Sequence, residues 1–271
     1  MFDLKQSQFI EWKNETLAAT LDFPKNIVFG KKYPLIIICH GFIGSKVGVD
    51  RLFVKAAEEF TMDGAIVLRF DFAGCGESSG IYGETGLHDF IHQLQTVLDY
   101  SISHIEQIDR NNITVLGHSL GGATAVLTAA IDSRIRHLIL WSSVAHPYED
   151  IKRIVGTEKV SSLKTGSFID YMGYEFGDHF FQSLKGFKPL QAATEFKGDV
   201  LILHGTSDQD IPVAYAKEYE SAFKSRKSGS CMKYEIIGAN HTISNYNHFS
   251  QLMTITRNWI TYEQAPKCLI G

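Results

Sequence analysis

A serine can attack a carbonyl carbon only when a turn exposes it and a base lies close enough to take its proton. The run Ile113–Gly122, ITVLGHSLGG, has the form such a site needs. Ile113–Leu116 is a short apolar strand, Gly117-His118-Ser119-Leu120-Gly121 is a G-x-S-x-G turn, and Gly122–Leu127 opens a small-residue, apolar helix. A larger residue at 117 or 121 would clash with the adjoining strand or helix. The strain of the turn aims the Ser119 hydroxyl out of the sheet, beside the free N–H groups of the helix start. Without chemistry, the same pattern would be only a tightly packed strand-to-helix turn. The nucleophile reading obliges the rest of the chain to supply a base, an acid that orients it, and a second donor for the oxyanion.

The acid is expected at Asp208, in the loop His204–Pro212 (HGTSDQDIP) that directly follows an apolar strand at Val200–His204. A carboxylate there can accept the Nδ1 proton of a histidine and fix its tautomer. Asp210, two residues on, is the competitor. The base is expected at His241, in Gly238-Ala239-Asn240-His241 just after the strand Lys233–Ile237, with His248 as the alternative. The chain has 11 histidines, so position on a strand-end loop, not residue type, singles out His241. Two backbone N–H groups are expected to form the oxyanion hole. One is that of Phe42, in His40-Gly41-Phe42 after the strand Tyr33–His40, and the other is that of Leu120. His118, Tyr171 and Tyr174 are the candidates for contact with substrate.

These loops need a frame. Gln8–Trp12 and Thr16–Asp22 alternate well enough to form an antiparallel hairpin. Tyr33–His40 and Ala65–Phe70 are near-continuous apolar runs, as strands buried on both faces are. Helical spacing marks Asp50–Met62, Leu87–Ile105, Val213–Phe223 and Asn245–Thr261, and Ile135–Trp141 reads as a further strand. This alternation predicts one α/β domain over residues 1–271, with a mostly parallel twisted sheet and helices on both faces. Binding sites in such sheets lie at the carboxyl ends of the strands. The stretch from Ile135–Trp141 to Val200–His204 is far longer than one helix requires. Its aromatic-rich part, residues 145–189, is read as an insertion covering the site and lacks any buried-strand run.

Composition narrows the alternatives. The 271 residues are 44% hydrophobic and 21% charged with a net charge of −4, an ordinary globular balance with no basic surface for nucleic acid. No apolar run approaches a membrane span, and residues 1–12 have no apolar core of a secretory signal, so a cytoplasmic location is expected. Cys39, Cys75, Cys231 and Cys268 are widely spaced, which implies reduced thiols and no metal site. His88 and His92 have metal-ligand spacing on a helix but lack the Glu of H-E-x-x-H, so they read as helix surface. Asp71, Gly74 and Gly76 suggest phosphate-loop material, yet G-x-G-x-x-G spacing is missing and no dinucleotide cofactor is expected.

Taken together, HGF (His40–Phe42), RFDFAGCGES (Arg69–Ser78), GHSLGG (Gly117–Gly122), HGTSDQDIP and GANH resemble the α/β-hydrolase superfamily over almost the full chain. The order Ser119, Asp208, His241 is that of its triads. More narrowly, the chain is similar to bacterial carboxylesterases of the cinnamoyl/feruloyl esterase type, with an inserted cap after the sixth strand. The resemblance implies a serine ester hydrolase that needs no cofactor or metal and acts on small to medium, including aryl-acyl, esters. Its partner would be a small-molecule ester, not nucleic acid or membrane, with a homodimer left open. Monoacylglycerol lipases and serine aminopeptidase-like hydrolases carry similar motifs. A non-hydrolytic binding protein and a lyase or cofactor-free haloperoxidase use of the same residues are the remaining alternatives.

Overall fold

The structure is a computed structural model that describes residues 4–28 and 30–264. Cys268 and the tail read at Gln264–Gly271 lie outside the described residues beyond Gln264. The chain opens with β1 (Lys5–Trp12), β2 (Glu15–Asp22) and β3 (Tyr33–Cys39), then α1 (Leu52–Met62), β4 (Ile66–Phe70) and α2 (Leu87–His104). It continues through β5 (Ile108–His118), α3 (Leu120–Ala129), β6 (His137–Trp141), α4 (Pro147–Val155) and α5 (Thr157–Ser161). A small hairpin of β7 (Phe168–Tyr171) and β8 (Tyr174–Gly177) follows, then α6 (Asp178–Lys185) and α7 (Pro189–Ala193). The last elements are β9 (Asp199–Gly205), α8 (Ala214–Lys224), β10 (Cys231–Ile236) and α9 (Tyr246–Gln264).

Eight strands form one sheet in the order β1-β2-β4-β3-β5-β6-β9-β10. The β1–β2 and β2–β4 pairs are antiparallel, and every pair from β4 to β10 is parallel. The apolar runs are continuous because both faces are covered. Along β3, Leu35, Ile37 and Cys39 join the core under α2, α3 and α8, whereas Ile36 and Ile38 join the core under α1 and α9. Both sets are fully buried, so the period-2 alternation of a strand here sorts residues between two apolar layers rather than between core and water. No helix among the described residues is long and apolar enough to cross a membrane.

Two elements differ from the sequence expectation. β5 starts at Ile108, upstream of the apolar run at Ile113, because Tyr33 pairs with Ile108 and a register shift between Tyr33 and Leu35 absorbs the polar Asp109–Asn112. The stretch 145–189 contains a hairpin where no strand was expected. Its two-residue turn, Met172-Gly173, has φ of 53° and 83°, the left-handed pair that a tight hairpin requires. Methionine in place of the usual Asn or Asp hides that turn in the sequence.

Candidate active site

The sheet gathers the loops after β3, β5, β9 and β10 at one edge. At the end of β5 the backbone of Ser119 takes φ 57° and ψ −123°, a conformation that L-residues rarely adopt. It is held by the Ser119 N–H donating to the Trp141 carbonyl at 3.0 Å and by Ser119 O accepting from Val144 N–H at 3.1 Å. The glycines around it are obligatory for the reason expected. A Cβ on Gly117 would come within 2.4 Å of the Gly121 carbonyl oxygen, and one on Gly121 within 2.3 Å of the carbonyls of Cys39 and His40. Leu120 is the first residue of α3, so its N–H has no partner within the helix.

The Gly41 backbone packs directly on the serine: a Cβ there would sit 2.9 Å from Ser119 Cβ and 3.3 Å from Oγ. The loop from Gly41 to Lys46 that carries Phe42 is anchored at three points. His40 Nδ1 donates to Gly41 O at 2.8 Å, and its Nε2 accepts the Phe72 N–H at 2.9 Å, so His40 is a structural brace. Asp71, fully buried, accepts from the Lys46 N–H at 2.5 Å and from Lys46 Nζ at 2.6 Å, while Arg69 donates to Lys46 O. A Cβ on Gly76 would fall 2.3 Å from that carboxylate, so the glycine turn once compared with a phosphate loop wraps an internal ion pair instead. The third anchor is aromatic. The Phe42 ring centroid lies 5.3 Å from Phe176, 5.9 Å from Tyr82 and 6.0 Å from both Tyr171 and Phe180.

His241 Nδ1 donates to Asp208 Oδ2 at 2.8 Å, which leaves Nε2 as the ring's free lone pair. Asp208 Oδ1 accepts the backbone N–H groups of Asp210 and Ile211 at 2.9 and 2.8 Å. A residue that sequence reasoning missed completes this cradle. His204 Nε2 lies 3.1 Å from Asp208 Oδ2 and 3.1 Å from the Ile211 carbonyl, so its N–H is shared between them. Burial alone would raise the Asp208 pKa; the hydrogen bonds from His204 and His241 outweigh it and hold the carboxyl well below the usual range. Asp208, Asp210 and His241 bring ligand atoms within 4.8 Å of one another, but the two oxygens of Asp208 and Nδ1 of His241 are already engaged in these hydrogen bonds. The loop is tied down further by Ser244, whose hydroxyl donates to Asp50 at 2.6 Å.

Ser119 and His241 line one cavity of about 680 Å³, together with Phe42, His118, Tyr171 and Tyr174. Asp210 is exposed on its wall, not paired with the histidine. His248 sits beside Gly238, away from the cavity lining. His88 and His92 form no metal cluster among the described residues, and His92 instead accepts the Trp12 indole N–H at 2.8 Å. Cys39, Cys75 and Cys231 are free thiols. Of the substrate-side candidates, Tyr171 contributes ring surface, while Tyr174 shares a hydrogen bond with the buried Cys75 thiol. His118 is 8% exposed and serves a further purpose: its Nε2 donates to the His241 carbonyl at 2.9 Å, with the two rings 4.7 Å apart.

Burial, reinforced by the neighbouring His241, pushes the His118 imidazole down to about 3. The unfolded chain takes up that proton below its ordinary value of about 6.5. Between these pH values the unfolded state therefore binds more protons, and stability falls as pH falls. Urea unfolding from pH 7 to pH 3.5 is expected to show this slope, and His118→Gln to flatten it by an amount on the order of a few kcal/mol. An unchanged slope in the variant would reject the assignment.

Comparison with known proteins fits this architecture. The family model for the alpha/beta hydrolase fold matches residues 34–165. A 31.7 kDa uncharacterised Escherichia coli protein is 32% identical over 126 residues, which is 46% of this chain and 42% of that protein. The quorum-quenching protein AidA of Acinetobacter baumannii is 33% identical over 110 residues, 39% of this chain and 34% of AidA. The chain thus spans less than half the length of these curated relatives. The structure of Est1E from Butyrivibrio proteoclasticus with ferulic acid bound superposes with a TM-score of 0.82 at 25% identity, covering 96% of this chain and 100% of Est1E. With the parallel sheet, the elbow at Ser119 and the strand-end loops already described, the chain is an α/β hydrolase by fold, and it resembles Est1E over nearly its whole length.

Proposed function

We propose that this chain is a serine carboxylic-ester hydrolase for small to medium esters, including aryl-acyl esters of the hydroxycinnamoyl type. The observation that carries the reading is one cavity lined by a strained, elbow-borne Ser119 and by His241, whose far nitrogen is bound to a buried carboxylate. In this mechanism Ser119 Oγ attacks the ester carbonyl carbon while His241 Nε2 takes the hydroxyl proton. The N–H groups of Phe42 and Leu120 receive the oxyanion. As the tetrahedral intermediate collapses, the C–O bond to the alcohol breaks and His241 returns its proton to the departing alkoxide. Water, activated by the same histidine, then releases the acid from Ser119. Asp208 remains ionised throughout and stabilises the imidazolium.

The acyl side of the cavity is assigned to the insertion, residues 145–189, through Ile154, Tyr171 and Met172. A volume of about 680 Å³ suits a drug-sized molecule and is bounded by ring surface, which favours aryl-acyl or medium alkyl groups over emulsified long chains. The test is turnover of p-nitrophenyl esters of graded length and of hydroxycinnamate methyl esters. Hydrolysis of the short and aryl-acyl members is expected. Tyr171→Ala is expected to change the ranking of acyl groups more than kcat on p-nitrophenyl acetate. A preference for triglyceride emulsions over every dissolved ester, or a ranking unaltered by Tyr171→Ala, would overturn the acyl assignment.

A further inference from the structure

Among the described residues, Asp210 is the one carboxylate on the cavity wall, and no Lys or Arg lines that cavity. Among the described residues its carboxylate carries no hydrogen bond or ion pair; only its backbone is engaged, the N–H by Asp208 and the carbonyl by Arg153. The nearby cations are spent elsewhere. Arg153 also donates to the buried Asp150 at 3.0 Å, and Lys46 is held between Asp71 and Glu77. The cavity histidines His40 and His118 are both held neutral by burial at ordinary pH. One uncompensated negative charge therefore faces the bound molecule.

Its place in the cavity puts that charge next to the reacting groups. One ligand atom each of Asp210, Asp208 and His241 lie within 4.8 Å of one another, so the Asp210 carboxylate stands beside the pair that serves Ser119. We propose that Asp210 is a specificity-determining residue that selects esters carrying a cation or no charge over esters carrying a carboxylate or phosphate. An anion placed there meets like charge, and no Lys or Arg in the lining offers it a counter-ion. A cation is attracted by the same carboxylate.

The inference rests on the ester-hydrolase reading, and the test separates the two. Three butyrate esters of similar size are compared by acid release: choline (cationic), 3,3-dimethylbutanol (neutral) and 4-hydroxybutanoate (anionic). Wild type is expected to favour the cationic over the anionic ester by about tenfold or more in kcat/KM, a ratio that shrinks in 1 M salt at roughly a 3 Å screening length. Asp210→Asn is expected to bring the two within about threefold, and Asp210→Lys to invert them. A ratio unmoved by either substitution, or a wild-type preference for the anionic ester, overturns the proposal while leaving the hydrolase reading intact. In parallel, the same esters are titrated calorimetrically into Ser119→Ala, which keeps the cavity charge. If wild type hydrolyses none of them and the binding order is still cationic above anionic, the hydrolase reading fails and the charge selection stands. If binding shows no such order, both fail.

Discussion

Ser119→Ala is expected to abolish ester turnover, by about 10⁶-fold in kcat if Ser119 is removed as a nucleophile with its base left in place. The variant should fold, since the side chain lost is a single hydroxyl at a position whose backbone is held by Trp141 and Val144. A serine-directed phosphonate should add its mass to wild type and not to the variant. Ser119→Gly sharpens the test. Glycine accepts φ 57° and ψ −123° freely, so it relieves strain of about 1–3 kcal/mol. It should be as inactive as the alanine variant and melt at a higher temperature than it. Turnover retained in either variant, or labelling of the alanine variant, would remove Ser119 from the mechanism.

The second large effect is expected at Asp208. Asp208→Asn should lower kcat about 10⁴-fold, because an amide can present N–H to His241 Nδ1 and turn the ring to the wrong tautomer. The loss should exceed that of Asp210→Asn on a neutral ester by at least about a hundredfold. His204 adds a distinguishing mark: two imidazole N–H groups converge on Oδ2, so the substitution also weakens one of the two acceptors shared by the buried His204 N–H. The variant should therefore unfold at a lower urea concentration than wild type, and Asp210→Asn should not. A larger catalytic loss at 210 than at 208 would move the acid to Asp210.

How much of this was legible from the sequence follows from how local each signal is. Ser119, Asp208 and His241 each stand on a glycine-marked loop directly after a strand, so their positions at one sheet edge followed from the alternation of strands and helices. The distinction between Asp208 and Asp210 required the loop's internal hydrogen bonds: the N–H groups of Asp210 and Ile211 fold back on Asp208 and turn it toward the histidine. Lys46 with Asp71, and His204 with Asp208, are pairings made by loop folding, and no periodicity announces them. His204 had one readable clue, a histidine four residues before the acid at the end of a buried strand. His118 was expected to meet substrate; it lines the cavity, and the bond from its Nε2 to the His241 carbonyl is a tertiary pairing that the sequence does not announce. The β7–β8 hairpin escaped because its strands are four residues each and its turn residue is methionine.

The aromatic cluster around Phe42 carries a consequence for engineering by recombination. Phe176 and Phe180 belong to the stretch 145–189, Tyr82 to the loop before α2, and Phe42 to the loop that lies against Ser119. Beside them, the Glu175 carbonyl packs so closely on Gly83 that a Cβ there would meet it at 1.8 Å. This stretch and the loops it covers thus share one solid rather than meeting across a seam. Replacing residues 145–189 by a foreign segment would exchange walls of the cavity and, with them, the support beneath the backbone of Phe42. Acyl preference and rate would then be inherited together, and a chimera would need Phe42, Tyr82 and Gly83 transplanted along with the new segment.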